Sequence, residues 1–164
     1  MKTWELRTEI RLARPPGEVF EFFGDAGNLQ EITPPWLHFR ILTPRPIAMR
    51  PGARIDYKLR LHGIPVSWKT EITAWEPPRR FVDEQLRGPY RLWVHEHTFE
   101  EIEGGTLARD RVRYAVPGPL GIELLANRLL VARDLEAIFR FRFDRLQERF
   151  GRWEDDEGKV TIEP

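Results

Sequence analysis

Two histidines stand two residues apart, His95 and His97, in a run from Tyr90 to Ile102 that alternates apolar and polar groups. In an extended strand Arg91, Trp93, His95, His97 and Phe99 share one face, and Leu92, Val94, Glu96 and Thr98 the other. With Phe99 turned to the core, both histidines turn inward with it. A turn at Gly104 and Gly105 pairs Phe99 with Ala108, which sets His97 opposite Asp110 and His95 opposite Val112. A carboxylate across from a buried histidine holds its tautomer and favours the protonated ring. Asp83 and Gln85 share the inward phase on the preceding strand, and Arg142 lies on the apolar side of a long C-terminal helix. Three roles are open to this group. It can be a satisfied buried network. It can recognise the polar end of an apolar molecule through His95, His97, Asp110 and Arg142. It can do acid–base work on a carbonyl compound, with His97 as acid or base and Asp110 orienting it. No nucleophile accompanies them, because Ser67 falls on the outward phase and no G-x-S-x-G occurs. Two histidines and an aspartate make a conceivable divalent-metal set, but His38 and His62 lie elsewhere in the chain. No metal and no cofactor is expected.

The elements that must position these groups are legible from periodicity. Leu6, Thr8, Ile10 and Leu12 alternate with charged residues, a strand with one buried face. Pro15 and Pro16 stop it and open a helix carrying Val19, Phe20, Phe22 and Phe23. A second short helix runs through Leu29 and Ile32 to Pro34 and Pro35. Short strand His38–Leu42 and a proline-rich loop follow. Ile55, Tyr57, Leu59 and Leu61 then alternate, turn at His62 and Gly63, and return as Ile64, Val66, Trp68, Thr70 and Ile72. Phe81, Asp83 and Gln85 mark the next strand, and the strands through His95 and Asp110 complete seven. From Gly121 to Phe150 no proline occurs. Leu124, Leu125, Leu135, Ile138, Phe139, Arg142, Leu146 and Phe150 recur there at helical spacing, predicting one helix of roughly 40 Å. The fold class is α+β, a curved antiparallel seven-stranded sheet closed over a C-terminal helix, with two short helices after the first strand.

The chain has 164 residues, with 26 basic and 26 acidic side chains and no cysteine. One domain over 1–150 is expected, followed by an acidic tail over 151–164 that is disordered or loosely docked. Balanced charge argues against a nucleic-acid partner and against a polybasic membrane anchor. No apolar run reaches membrane-spanning length, and a cytoplasmic protein is expected. Absence of cysteine excludes disulfides and thiolate chemistry.

The order of elements resembles the START-like ligand-binding superfamily, also called SRPBCC or polyketide cyclase/dehydrase-like. So do the runs "ARPPGEVFEFF" from Ala13, "GNLQEITPPWL" from Gly27, "GPYRLWVHEHTFE" from Gly88, the "GGT" turn and "LEAIFRFR". More narrowly the chain resembles small bacterial stand-alone members, whose relatives also occur attached to epimerase-like domains. The resemblance implies a helix-grip fold with a cavity between sheet and helix that holds a hydrophobic or amphipathic small molecule. No family-wide catalytic set carries over. On that implied fold the cavity residues are Tyr57, Trp68, Phe81, Asp83, Trp93, His95, His97, Asp110, Tyr114, Phe139 and Arg142. Pro34 to Leu37 cap its mouth or form a fixed turn, and the Pro117–Gly121 loop corresponds to a portal. A cyclase or dehydratase using His97 and Asp110 is the alternative. A further one is a protein-interaction module with a filled core, with a homodimer among the possible assemblies.

Overall fold

A computed structural model describes residues 1–119 and 121–164. The helix that closes the sheet begins at α2 (Ile122–Ala126), passes through a π-helical turn at Asn127–Val131 and continues as α3 (Ala132–Phe150). The π turn accommodates one extra residue, which rotates everything upstream by about a quarter turn relative to α3. Glu123 and Asn127 therefore face the protein, while Leu124 and Leu125, expected on the buried face, are 48% and 58% exposed. Asn127 is fixed there by the Tyr114 hydroxyl, which donates to its Oδ1 at 2.8 Å.

Among the described residues the sheet has eight strands, one more than expected: β1 (Trp4–Leu12), β2 (Arg40–Ile41), β3 (Arg54–Leu61), β4 (Ile64–Glu76), β5 (Arg80–Arg87), β6 (Leu92–Ile102), β7 (Gly105–Ala115) and β8 (Lys159–Glu163). Their order is β2-β3-β4-β5-β6-β7-β1-β8, with every neighbouring pair antiparallel. The extra strand comes from the stretch expected to be loose. It adds to the free edge of β1, with Thr8 opposite Val160 and Leu6 opposite Ile162. An open edge has unpaired backbone groups, and a short Val-x-Ile alternation suffices to satisfy them. The acidic run before it is engaged as well. Asp156 accepts from the backbone N–H groups of Arg11 and Gly158.

The β3–β4 hairpin turns at His62 and Gly63, both at positive φ, with Leu61 paired to Ile64. After β1, α1 (Pro16–Gly24) has proline in its first turn, and the second short helix is a 3-10 turn at Ala26–Gln30. Leu6, Ile10, Val112 and Tyr114 on the sheet, Val19 and Phe22 on α1, and Leu135, Phe139, Phe143 and Leu146 on α3 form one core.

Candidate functional site

β6 is the floor of the site. Phe99 pairs with Ala108, His97 with Asp110 and His95 with Val112, the register the Gly104–Gly105 turn predicts. On the other side Asp83 of β5 stands opposite His95, and Phe81 opposite His97. The hydrogen bonds cross this register. His95 Nε2 is 2.7 Å from Asp110 Oδ1, and His97 Nε2 is 2.9 Å from Asp83 Oδ2. Each ring thus reaches the carboxylate diagonal to it, so Asp110 is chiefly the partner of His95, not of His97 as the register alone suggests. His97 Nδ1 does lie 3.0 Å from Asp110 Oδ1, but poorly aligned, so the contact acts through charge and leaves that nitrogen without a proper hydrogen bond.

Packing holds both rings. His95 and His97 stack with centroids 3.7 Å apart, and His97 stacks on Phe81 at 4.0 Å. Phe139 of α3 meets His95 edge-on. The carboxylates have their own supports: Thr8 Oγ1 donates to Asp110 Oδ2 at 2.8 Å, and the Thr70 hydroxyl is 3.4 Å from Asp83 Oδ1.

Burial favours the neutral acid at Asp83 and Asp110, yet the histidine hydrogen bonds and nearby positive charge outweigh it, holding Asp83 below and Asp110 well below the ordinary carboxylate value. Burial opposes the charged ring at both histidines. At His97 the Asp110 and Asp83 carboxylates overcome it and the pKa is raised; at His95 burial and the charge on His97 prevail and the pKa is lowered. Arg142 is drawn down by burial against the pull of both carboxylates, but a guanidinium keeps its proton. The cluster therefore combines two carboxylates and the Arg142 guanidinium with two unlike rings, the charged form favoured at His97 and the neutral form at His95.

These groups border a cavity of about 180 Å³ whose walls are mostly aromatic and aliphatic. Tyr57, Trp68, Phe81, Asp83, Trp93, His95, His97, Phe139 and Arg142 line it. Two expected lining residues do not. Asp110 sits behind the histidines. Tyr114 is fully buried against Asn127, and burial pushes its phenol up to about 12. Leu37, beside Trp36, reaches the cavity, whereas Trp36 itself is exposed and packs on Phe141. Sequence reading missed Phe22 and Phe23 of α1 and Phe39 and Met49 of the loops. The two α1 residues had only a helical apolar stripe to announce them, and the loop pair had no period at all. Of the Pro117–Gly121 loop, Leu120 lies outside the described residues.

Three buried nitrogens in this wall lack a hydrogen-bond partner among the described residues: His97 Nδ1 and the obligate donors Trp68 Nε1 and Arg142 Nε. A metal is less well served. Asp83, His95 and His97 each offer a ligand atom within 4.8 Å of the others, but His95 Nε2 is already engaged by Asp110 and His97 Nε2 by Asp83.

A curved sheet gripping a helix around an apolar, partly charged chamber defines a helix-grip protein of the START-like superfamily. More narrowly, the chain belongs to the family described as polyketide cyclase / dehydrase and lipid transport, whose model matches residues 3–151. Among solved structures it is similar to the Zhui aromatase/cyclase of a Streptomyces species, with 15% identity, a TM-score of 0.68 and coverage of 90% of this chain and 93% of that one. The Thermus thermophilus protein TTHA0849 is 20% identical with a TM-score of 0.66, over 89% of this chain and 96% of its own. A nucleoside-diphosphate sugar epimerase of Corynebacterium glutamicum is 23% identical with a TM-score of 0.61, the match covering 87% of this chain but 28% of that larger one. These likenesses establish the fold. No curated protein matches the sequence significantly.

Proposed function

We propose that the protein binds a small, largely apolar molecule whose one polar end is an oxygen acceptor. The observation that carries this is that two obligate donors, Trp68 Nε1 and Arg142 Nε, are buried and unanswered in the wall of an otherwise greasy chamber. A buried N–H left without a partner costs about 1–3 kcal/mol, which a guest oxygen recovers. Size narrows the class. A void of about 150 Å³ admits a benzene-sized molecule, so 180 Å³ suits one ring with a short substituent. Asp83 and Asp110 already put two ionised carboxylates beside the chamber, which favours a neutral carbonyl over a further anion. Tryptophan fluorescence titration tests this with acetophenone against ethylbenzene, the same ring without the oxygen. Acetophenone is expected to bind saturably and at least ten-fold more tightly. Arg142→Met and Trp68→Phe are expected to erase the difference, and equal binding of both probes would overturn the reading.

A second reading, catalysis of a cyclase or dehydratase type, has one observation in its favour. At the cavity wall two carboxylates favour the protonated ring of His97, the form a general acid needs beside a carbonyl. It is separated from simple binding by His97→Gln, which abolishes turnover with affinity intact in the catalytic case and weakens affinity alone in the other. The cavity itself speaks against a module with a filled core.

A further inference from the structure

Ten large apolar side chains stand exposed among the described residues, and five of them, Ile122, Leu124, Leu125, Leu129 and Leu130, fall within nine positions of α2 and the π turn. Scattered exposed leucines need no explanation, but a contiguous group does. The charges on this segment are sorted. Glu123 is turned inward by the π-turn phase shift and is 3% exposed, whereas Arg128 and Arg133 are exposed. The tip of the β3–β4 hairpin is tied to the same end of the molecule, because His62 Nε2 lies 2.7 Å from Asp134 Oδ2. That tip adds exposed Ile64 and Arg60, and His62 at its end engages the carboxylate of Asp134. The outward surface is thus aliphatic and cationic, with no free acid between residues 121 and 133.

We propose that this face docks on an anionic lipid surface, with the leucines and isoleucines entering the headgroup–acyl boundary and Arg128 and Arg133 meeting lipid phosphates. A second copy of the chain fits less well, since it would set arginines against arginines with no exposed carboxylate on the segment to answer them. No helix among the described residues is long and apolar enough to cross a membrane, so the contact is peripheral. α3 begins immediately after this face and sends Leu135, Ile138 and Phe139 into the cavity wall. With about 1.5 Å of rise per residue, Leu135 follows Leu130 by roughly 8 Å along the helix, so the face adjoins one end of the cavity wall. The docking inference stands on surface residues alone and is independent of what the cavity holds.

Sedimentation of the full chain with vesicles tests it, comparing phosphatidylcholine alone with a mixture containing phosphatidylglycerol. Binding is expected only to the anionic vesicles, weakened by high salt. The pairs Leu125→Glu/Leu129→Glu and Arg128→Glu/Arg133→Glu, all at exposed positions and checked for an unchanged melting temperature, are each expected to lose at least ten-fold in affinity. No phosphatidylglycerol-dependent binding, or binding unaltered in both variants, overturns the proposal. So does a concentration-dependent dimer that Leu125→Glu/Leu129→Glu dissolves, which would assign the face to a second copy.

Discussion

At the scale of single residues the crossed pairing of His95 with Asp110 and His97 with Asp83 has consequences for stability that straight pairing would not have. Asp110 answers the Thr8 hydroxyl, the His95 N–H and the charge on His97 at once. Removing one partner of a buried ionic group typically costs about 3–5 kcal/mol, and Asp110→Ala is expected to lose that much in urea unfolding at neutral pH. The pH dependence follows from the directions of the shifts. His97, raised above 6.5, contributes fully below that value and loses its contribution as pH rises through its folded pKa. His95, lowered, is favoured as the neutral ring, so stability is lost as pH falls from 6.5 toward its folded pKa. The two carboxylates, lowered from 3.8, add a further loss only as pH falls through their depressed values. Stability is therefore expected to peak near pH 6.5, and the alkaline decline is expected to vanish in His97→Gln. A melting temperature that climbs steadily from pH 6 to 8 would sink this account. The sequence placed both histidines, Asp83 and Asp110 on one face because strand alternation leaves no other phase. It could not say which ring meets which carboxylate, because a diagonal reach depends on rotamers and on the Phe81 stack that pins them.

At the scale of elements, strands were more legible than the helix and the tail, for physical reasons visible in particular residues. The His62–Gly63 turn and the Gly104–Gly105 turn each have the backbone freedom a tight hairpin needs, so they fix register, and register fixes the site. The π turn has no such signature. Only the buried pair Glu123 and Asn127, four apart and out of phase with Leu135, betrays it, and polar residues do not ordinarily announce a buried face. β8 was hidden because the acidic run Glu154–Glu157 outweighs the brief alternation of Lys159 to Ile162 in any compositional reading. Val160 and Ile162 pack against the core as half-buried groups. Burying two such side chains contributes about 2–3 kcal/mol, so a chain ending at Gly158 is expected to be destabilised by roughly that amount. Its exposed β1 edge is also expected to drive self-association, visible as larger species in size-exclusion chromatography. Unchanged stability and a monomeric profile would show that β8 adds nothing to the sheet.

At the scale of the whole molecule, the fold keeps an unfilled space at its centre while pairing opposite charges across the outer face of its sheet. Arg109 joins Glu9 and Glu100, Arg111 joins Glu5, and Arg80 joins Glu76 and Glu96, so neighbouring strands are laced across the outer face without a net field. Exposed pairs of this kind each contribute little, about 0–1 kcal/mol, and the stability of the domain must come from its core. A void in that core works the other way, at about 24 cal/mol for each Å³ left unfilled, and a chain selected for stability alone would close it. Ile138, half-buried on α3 and facing the cavity, is a position from which a larger side chain can do so. Ile138→Phe is expected to stabilise the empty protein by about 1 kcal/mol, a rise of about 2–4 °C in melting temperature for a domain of this size. The same change is expected to weaken acetophenone binding at least ten-fold, because the ring then competes for the guest's place. Differential scanning calorimetry and the fluorescence titration read the two effects separately. Opposite signs identify the space as one kept for a guest at the expense of stability. A loss of both stability and binding would mean instead that the walls are already packed to their limit around it.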